Sequence, residues 1–246
     1  MKNYYVFTLE YDGTDFCGWA KQSNQKTIQG ALEKAIFKVT KGTSFRLVGA
    51  SKTDSGVHAK DQKVWIELDF KPIFPGFIRA INSSLPLGIM IKDFESVDAS
   101  FKVRNCKEKI YKYIIKTNKR SVFEDRFYYV PKRPLNFEKL NEALKLFIGE
   151  HDFINFSGLT KLEADVINTK REIKDITLKF SKDIYTIEFV AKGFIRYQIR
   201  MILGAAFAYA LNKIEKSDII KVLNKEANKL PYIADPRGLI LYKITY

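Results

Sequence analysis

Cysteine and histidine are scarce in this sequence, and their scarcity limits the chemistry it can support. Cys17 and Cys106 are the only cysteines, and His58 and His151 the only histidines, among 246 residues. Their spacings match no zinc-binding pattern, so we expect no metal site. Two isolated cysteines also favour reduced thiols over a disulfide, which is typical of a cytoplasmic protein.

Long apolar runs and low-complexity segments are also missing. No stretch approaches the roughly 20 apolar residues of a membrane span. The opening MKNYYVFTLEYDGTDF mixes charges with aromatics where a signal peptide needs an apolar core. Hydrophobic residues make up 46% of the chain and charged residues 28%, the balance of a globular protein with a substantial core. We therefore expect a cytoplasmic protein without a membrane partner.

Positive charge, in contrast, is in excess. The chain holds 42 Lys and Arg against 28 Asp and Glu, a formal net charge of +14. This excess suits a polyanionic partner, because cationic side chains that bind phosphates release condensed counterions. A lysine-rich proteome, in which Lys replaces Arg on solvated faces, would produce the same balance. Charge alone leaves both interpretations open.

Apolar periodicity predicts two similar α+β halves. Thr27 is a candidate N-cap for a helix whose apolar stripe begins at Ile28. The predicted strands cover residues 4–10, 45–50, 63–70, 89–97, 107–117, 170–181, 184–193 and 238–246. The predicted helices cover residues 28–41, 74–85, 136–149, 199–214 and 217–228, the last opening on a Ser-Asp cap.

The order strand–helix–strand–strand–helix–strand occurs twice, which indicates halves spanning residues 1–105 and 106–246. Strands such as 63–70 alternate apolar and polar residues, so each should have one face covered by helices and one face open. No flexible linker separates the halves. We therefore expect them to share one mainly antiparallel sheet, with helices on one face.

A single carboxylate stands out in the stretch ASKTDSGVHAKDQ, residues 50–62. Asp54 follows an apolar strand and precedes Gly56, which permits backbone conformations closed to other residues. A carboxylate in such a loop can act as nucleophile, base, metal ligand or ion-pair partner, but it can equally close an Asx turn. His58 is less diagnostic still, since a histidine bonded to backbone is commoner than a catalytic one.

Two further clusters carry functional residue types. In KIYKYIIK, residues 109–116, Tyr111 and Tyr113 share one face of a strand and could stack on nucleobases or fill a core. In GFIRYQIRMILGA, Arg196 and Arg200 share a helix face if the helix begins early enough. Arg200 suits a partner carboxylate, because an unpaired buried charge is costly, although a phosphate or plain solvent would also serve.

Together these clusters resemble the TruA family of tRNA pseudouridine synthases. The likeness runs from residue 4 to residue 246 in six ordered motifs, and ordered motifs over a whole chain are far more specific than any one of them. In this sequence the six motifs are DGTDFCGWAKQ, TIQGALEKAI, SKTDSGVHA, KIYKYII, GFIRYQIRMILGA and DPRGLILYKITY.

The resemblance implies an activity, a substrate and an assembly. Members of this family isomerise uridine to pseudouridine at positions 38 to 40, in the anticodon arm of tRNA. They break the bond between ribose C1′ and uracil N1 and rejoin the base through C5, without cofactor or metal. They have the pseudouridine synthase fold, with an RNA-binding cleft on the open face of the sheet, and act as homodimers on tRNA.

The resemblance also assigns roles to residues of this chain. It makes Asp54 the essential carboxylate and Arg200 its guanidinium partner. Tyr111 corresponds to the ring that stacks on the target uracil and is also a candidate catalytic base. Two chemical routes stay open for Asp54, attack on C1′ or a path that begins with proton loss from C2′. The residues expected to contact substrate around Asp54 are Lys52, Thr53, Ser55, Gly56 and His58.

The sequence departs from the family pattern at several positions. Lys52 replaces the arginine credited with taking the place of the everted base, which keeps the charge but loses the planar fork. Ser51 replaces a glycine, Ser100 an arginine and Ala20 a glutamine. These changes leave a second hypothesis, a non-catalytic or low-activity tRNA-binding paralogue. A hydrolase that uses Asp54 with His58 has no accompanying oxyanion motif to support it.

Overall fold

The computed structural model describes residues 2–117 and 121–246, which form two compact units. The N-terminal unit comprises Met1–Lys107 together with Ile240–Tyr246, and the C-terminal unit comprises Glu108–Leu239. The division suggested by the sequence, 1–105 and 106–246, differs in where the last residues belong. Within residues 2–117 and 121–246, no helix is both long and apolar enough to cross a membrane.

The strands, in chain order, are β1 (Asn3–Tyr11), β2 (Phe45–Gly49), β3 (His58–Leu68), β4 (Ile89–Ser96), β5 (Glu108–Lys116), β6 (Gly149–Asp152), β7 (Lys170–Ser181), β8 (Ile184–Ala191) and β9 (Leu239–Thr245). The α-helices are α1 (Ile28–Val39), α2 (Gly76–Ser84), α3 (Phe137–Lys145), α4 (Lys161–Val166), α5 (Gln198–Ala210) and α6 (Lys216–Leu223). The α+β class with mainly antiparallel strands is confirmed.

In the N-terminal unit the strand order is β4-β1-β3, and β3 also pairs with β2 and β9. The β2 pairing is antiparallel and uses the end of β3, from Val64 to Leu68. The β9 pairing is parallel and uses its beginning, with His58 opposite Ile240. Both ends of the loop between β2 and β3 are therefore fixed by strand pairing, at Gly49 and at His58.

Helix α1 of this unit follows the predicted pattern. The Thr27 Oγ1 accepts a hydrogen bond from the Gly30 N–H at 3.2 Å, the N-cap interaction expected from the sequence. Its buried residues recur at helical spacing, so the predicted apolar stripe is confirmed. These residues are Ile28, Leu32, Ala35 and Ile36.

In the C-terminal unit the strand order is β5-β8-β7-β6, all antiparallel. Helix α5 is buried on almost every side, with only Arg200 and Met201 partly exposed. Such a helix is a core element rather than an amphipathic surface helix. Arg200 is therefore a charged residue in the first turn of an otherwise apolar helix.

The structure corrects several predicted boundaries. Strand β3 begins at His58 rather than at residue 63, so the loop holding Asp54 is shorter than the stretch 50–62. Helix α6 is capped by Glu215, which forms a capping box with Asp218, and not by Ser217. Strand β6 and helix α4 were not predicted, because four and six residues are too short to show a period.

Candidate active site

The Asp54 loop joins β2 to β3 and spans residues 50–57. Asp54 itself is partly exposed, and its neighbours Lys52 and Ser55 are exposed. Thr53 and Gly56, in contrast, are buried. The loop thus combines residues anchored in the protein with residues exposed to solvent, and Asp54 is intermediate between the two groups.

Backbone atoms of the segment DGTDFCGW, residues 12–19 after β1, clamp the Asp54 loop from one side. The Phe16 carbonyl accepts hydrogen bonds from the Gly56 N–H and from the Ser55 hydroxyl, each at 3.2 Å. The Trp19 N–H donates to the Thr53 carbonyl at 3.0 Å. The segment DGTDFCGW therefore acts as a structural partner of SKTDSGVHA, although the two are far apart in the chain.

Two glycines make this close approach feasible. Gly18 has a φ of +83°, and a Cβ built there would lie 2.8 Å from the Thr53 carbonyl oxygen and 3.2 Å from the Asp54 carbonyl carbon. Gly56 has a φ of +76° inside a turn in which the Val57 N–H donates to the Asp54 carbonyl at 3.1 Å. Both backbone conformations favour glycine, and Gly18 also lacks space for any side chain.

Buried polar side chains anchor the loop from below. The hydroxyl groups of Tyr11 and Thr53 share a buried hydrogen bond of 2.8 Å. Gln62 is fully buried, and its amide accepts from the Ser51 N–H at 3.1 Å and donates to the Ser51 carbonyl at 2.7 Å. An amide that bonds both backbone groups of one residue leaves neither unsatisfied, which fixes the loop entrance.

His58 supports the loop from its other end. The side chain is buried, and its Nδ1 accepts from the Gly13 N–H at 3.1 Å. The same nitrogen lies 3.2 Å from Asp12 Oδ1, and that oxygen accepts hydrogen bonds from the Thr14 N–H and hydroxyl. The imidazole therefore joins the start of β3 to the segment DGTDFCGW. That Thr53 or His58 contacts the substrate stays a prediction.

The predicted tyrosine pair lies on β5 in the C-terminal unit. Tyr111 and Tyr113 are both buried while Lys112 between them is partly exposed, so the shared face is confirmed. The Tyr111 ring meets Phe194 edge-on, with centroids 5.4 Å apart. The Tyr113 hydroxyl donates to the Asp235 carbonyl at 3.0 Å, and burial, helped by the Asp235 charge, raises its pKa well above the usual value. Tyr113 is a core residue.

Arg200 lies in the first turn of α5 and is partly buried. Its Nε donates to the Ala234 carbonyl at 2.9 Å, and its guanidinium lies 5.2 Å from the centre of the Tyr197 ring. A cation in the first turn of a helix interacts unfavourably with the helix dipole. An anionic group on a partner or substrate would offset that cost, which makes this position a candidate for function.

The turn that leads into α5 is strained. Tyr197 has a φ of +62°, in the left-handed region, and caps the helix. Such a conformation costs about 1–3 kcal/mol for a residue with a side chain and is often found at functional sites. Gly158 makes room for it, since a Cβ there would lie 2.2 Å from Tyr197 Cδ2. Close packing against Gly158 thus holds the strained turn before α5, whose first residue, Gln198, lies two residues before Arg200.

Arg196 does not share a helix face with Arg200, because α5 begins at Gln198. Instead its Nη2 pairs with Glu163 Oε2 at 2.7 Å, and its Nε donates to the Gly158 carbonyl at 2.9 Å. Arg196 therefore anchors the strained turn to α4.

The segment that contacts Arg200 carries its own ion pair. Arg237 Nη2 lies 2.7 Å from Asp235 Oδ2, and its Nε donates to Asp235 Oδ1 at 3.0 Å. Burial works to raise the pKa of Asp235, but the bonds from Arg237 and the charges of Arg237 and Arg200 outweigh it, so the pKa is lowered. Asp235 is therefore ionised, and sequence inspection had not singled it out.

The predicted site residues fall into two groups. Those around Asp54 lie in one loop of the N-terminal unit and at the start of β3, whereas Tyr111 and Arg200 belong to the C-terminal unit.

Sequence reasoning missed the supporting roles of Tyr11, Gly18 and Gln62. Gly18 and Trp19 lie in a recognised motif, but their contacts with the loop could not be read from it. In residues 2–117 and 121–246, no three His, Cys, Asp or Glu side chains are grouped to hold a metal.

Comparison with known proteins covers both units. A family model described as tRNA pseudouridine synthase matches residues 143–246. Over 246 residues the chain is 45% identical to tRNA pseudouridine synthase A of Mesoplasma florum, with 98% of each chain covered. It is 43% identical to the protein of that name from Mycoplasma mycoides subsp. mycoides, covering 100% of this chain and 99% of the relative. For Thermoanaerobacter sp. the identity is 38%, with 100% of each chain covered.

Proposed function

The chain belongs to the tRNA pseudouridine synthase A family, and we propose that it isomerises uridine at positions 38 to 40 in the anticodon arm of tRNA. The observation that carries the proposal is likeness to named relatives along the whole chain. As a member of this family the protein is an isomerase that forms pseudouridine. The choice of anticodon-arm positions comes from the resemblance of the motifs.

The reaction needs few chemical groups. The C1′–N1 glycosidic bond breaks, the base rotates, and C5 joins C1′. The proton on C5 is lost to solvent and N1 takes up a proton, so the product is an isomer of the substrate and no oxidant, reductant or co-reactant is consumed. We assign the essential carboxylate to Asp54, acting at C1′ or along the route that begins at C2′. Its support is the clamped loop, which holds a partly exposed carboxylate in a fixed position.

Two residues of the C-terminal unit complete the assignment. We propose that Arg200 is the guanidinium that keeps the catalytic carboxylate ionised, since a nearby cation lowers the pKa of an acid. Its position in the first turn of α5, where the helix dipole disfavours a cation, is the physical support. Tyr111 is proposed to stack on the target uracil.

The remaining loop residues would shape the site around the sugar. Ser55 and Gly56 add little bulk beside Asp54, so a ribose could approach the carboxylate closely. Lys52 is exposed and cationic, and we propose that it faces the RNA and occupies the space left by the everted base. Thr53 and His58 would contribute through the loop they support.

We further propose that the enzyme acts as a homodimer in the cytoplasm, binds tRNA, and needs no cofactor. The net charge of +14 supports a large polyanionic substrate, whose phosphates would be contacted by many Lys and Arg side chains. Light scattering on the purified protein tests the dimer. A mass near the 28.5 kDa of one chain, at the concentration used for activity, would contradict it.

The experiment for the function is tritium release from unmodified tRNA that carries C5-labelled uridine. We expect release with the wild-type protein and none with Asp54→Asn, while the variant keeps its circular dichroism spectrum and its tRNA affinity. Asp69→Asn, an exposed carboxamide substitution in the same unit, is the matched control and should remain active. Full activity of Asp54→Asn would remove Asp54 from the chemistry. Binding without release by the wild type would favour the non-catalytic paralogue.

A further inference from the structure

A cavity of about 500 Å³ opens in the C-terminal unit, and its lining includes neither Tyr111 nor Arg200. One wall is the segment 128–133 before α3, and another is formed by Leu211 and Lys213 after α5. Asp235 and Arg237 form a third. The volume falls within the range of small-ligand sites and is sufficient for one nucleotide.

The charge around this cavity is positive. Four cations and two carboxylates line it, an excess of two cations (4 − 2). Asp235 and Arg237 neutralise each other through their side-chain hydrogen bonds, which leaves three cations and one carboxylate. Lys132, Arg133 and Lys213 are exposed, so their charges are available to a ligand at the rim. A phosphate is the ligand that such a cluster favours.

The cavity also has an aromatic wall. The Tyr129 ring stacks on Phe207 at 5.3 Å and belongs to the packing, and burial raises its pKa, so its hydroxyl stays protonated. Tyr128 beside it is partly exposed, with Lys116 Nζ 5.6 Å from its ring centre. A ring and cations at one cavity are the combination by which proteins bind single-stranded nucleic acid, stacking the base and neutralising the phosphate.

We propose that this cavity binds one nucleotide of the RNA substrate other than the target uridine. Its phosphate contacts Lys132, Arg133 and Lys213, and its base stacks on Tyr128. Leu211 follows Arg200 by eleven residues, and at 1.5 Å per helical residue α5 separates the two by about 16 Å. On another wall Asp235 adjoins Ala234, whose carbonyl accepts from Arg200 Nε. A nucleotide bound at the wall of Leu211 and Lys213 is therefore distinct from one that Arg200 contacts. The inference rests on the proposed function, since it takes RNA as the substrate.

The first test removes the charges. We expect the combined variant Lys132→Ala, Arg133→Ala, Lys213→Ala to raise KM for unmodified tRNA at least tenfold, with the effect on KM rather than kcat. The slope of log affinity against log salt should fall by about one for each phosphate that the variant no longer neutralises. The control variant Lys145→Ala, Lys179→Ala, Lys221→Ala removes the same charge from exposed positions of the same unit. Equal changes in both variants would reduce the effect to net charge and overturn the proposal.

The second test removes the ring. Tyr128→Ala should raise KM about tenfold, and Tyr128→Phe, which keeps the ring, should restore most of the affinity. Equal affinity for all three forms would remove stacking from the proposal and overturn it. Filter binding of the same tRNA measures affinity without turnover, and so tests whether the cavity binds RNA independently of catalysis. A wild type that releases no tritium contradicts the proposed function alone, whereas an active wild type with unchanged binding in the charge variant contradicts the cavity alone.

Discussion

The Asp54 loop and the turn before α5 each present a charged side chain, but they are held in different ways. The Asp54 loop is clamped by neutral hydrogen bonds with Phe16, Trp19 and Tyr11, which are distant in sequence. The turn at Tyr197 has a strained backbone and is held by packing against Gly158 and by the ion pair of Arg196 with Glu163. The first should therefore be sensitive to added volume, and the second to loss of charge and altered packing.

The largest effect should come from filling the space between the two loops of the N-terminal unit. We expect Gly18→Ala to reduce kcat about hundredfold, because its Cβ would displace the Thr53 carbonyl and shift Asp54 from its reactive position. Gly42→Ala is the control. Gly42 has a similar φ of +86°, but its Cβ would meet only the Phe37 ring, at 3.4 Å. Both variants should lose about 1 kcal/mol of stability from backbone strain, as measured by thermal unfolding. Equal kcat values for the two variants would show that the contact of Gly18 with the Asp54 loop does not position Asp54.

A smaller effect is expected from crowding the turn of the C-terminal unit. Gly158→Ala would place a methyl group 2.2 Å from the Tyr197 ring, and overpacking of this kind costs about 1–3 kcal/mol. We expect lower stability and a loss of about tenfold in kcat/KM, because the start of α5 and Arg200 would shift. At Gly193 a Cβ would meet nothing within 4 Å, so Gly193→Ala should behave as wild type. Unchanged kinetics in Gly158→Ala would show that the turn does not position Arg200.

Removing one hydrogen bond beneath the Asp54 loop should have a modest effect. Tyr11→Phe deletes the hydroxyl that bonds Thr53 and should cost about 1 kcal/mol of stability. We expect kcat to fall a few-fold with KM unchanged, since the bond positions the loop rather than binding RNA. Tyr5→Phe, on the same strand and equally buried, is the control. A larger loss of kcat in Tyr5→Phe than in Tyr11→Phe would show that the Tyr11–Thr53 hydrogen bond does not matter for catalysis.

The smallest effect concerns charge and depends on pH. The pKa of Asp235 is lowered in the folded protein, so its ionised form adds stability above the unfolded pKa of about 4, and this is lost as pH falls through the folded value. Asp235→Asn should therefore cost about 1 kcal/mol at neutral pH, and the difference should disappear under acid conditions. The cost of Tyr11→Phe should stay constant over the same range. Denaturant unfolding at several pH values measures both.

Local pattern predicted some elements well. Helix α1 was predicted from its cap at Thr27 and its apolar stripe, since both signals lie within one segment. The start of β3 was missed because Lys60, Asp61 and Gln62 break the apolar alternation. Pairing with β1 makes this segment a strand, with Gln62 opposite Leu9 and Ala59 opposite Tyr11. A long-range pairing leaves no periodic signal in the segment that it orders.

The sequence by itself determined the family and the residues proposed for chemistry, because ordered motifs survive in the primary structure whatever their positions in space. It also determined the basic charge and the helical stripe of α1. From the sequence we also expected His58 to support the loop rather than to react. Only the tertiary structure decided that Thr53 is a buried support, that Gly18 lies against the Asp54 loop, and that Arg196 holds the turn before α5. Burial and close approach depend on residues far apart in the chain, and spacing along the chain does not encode them.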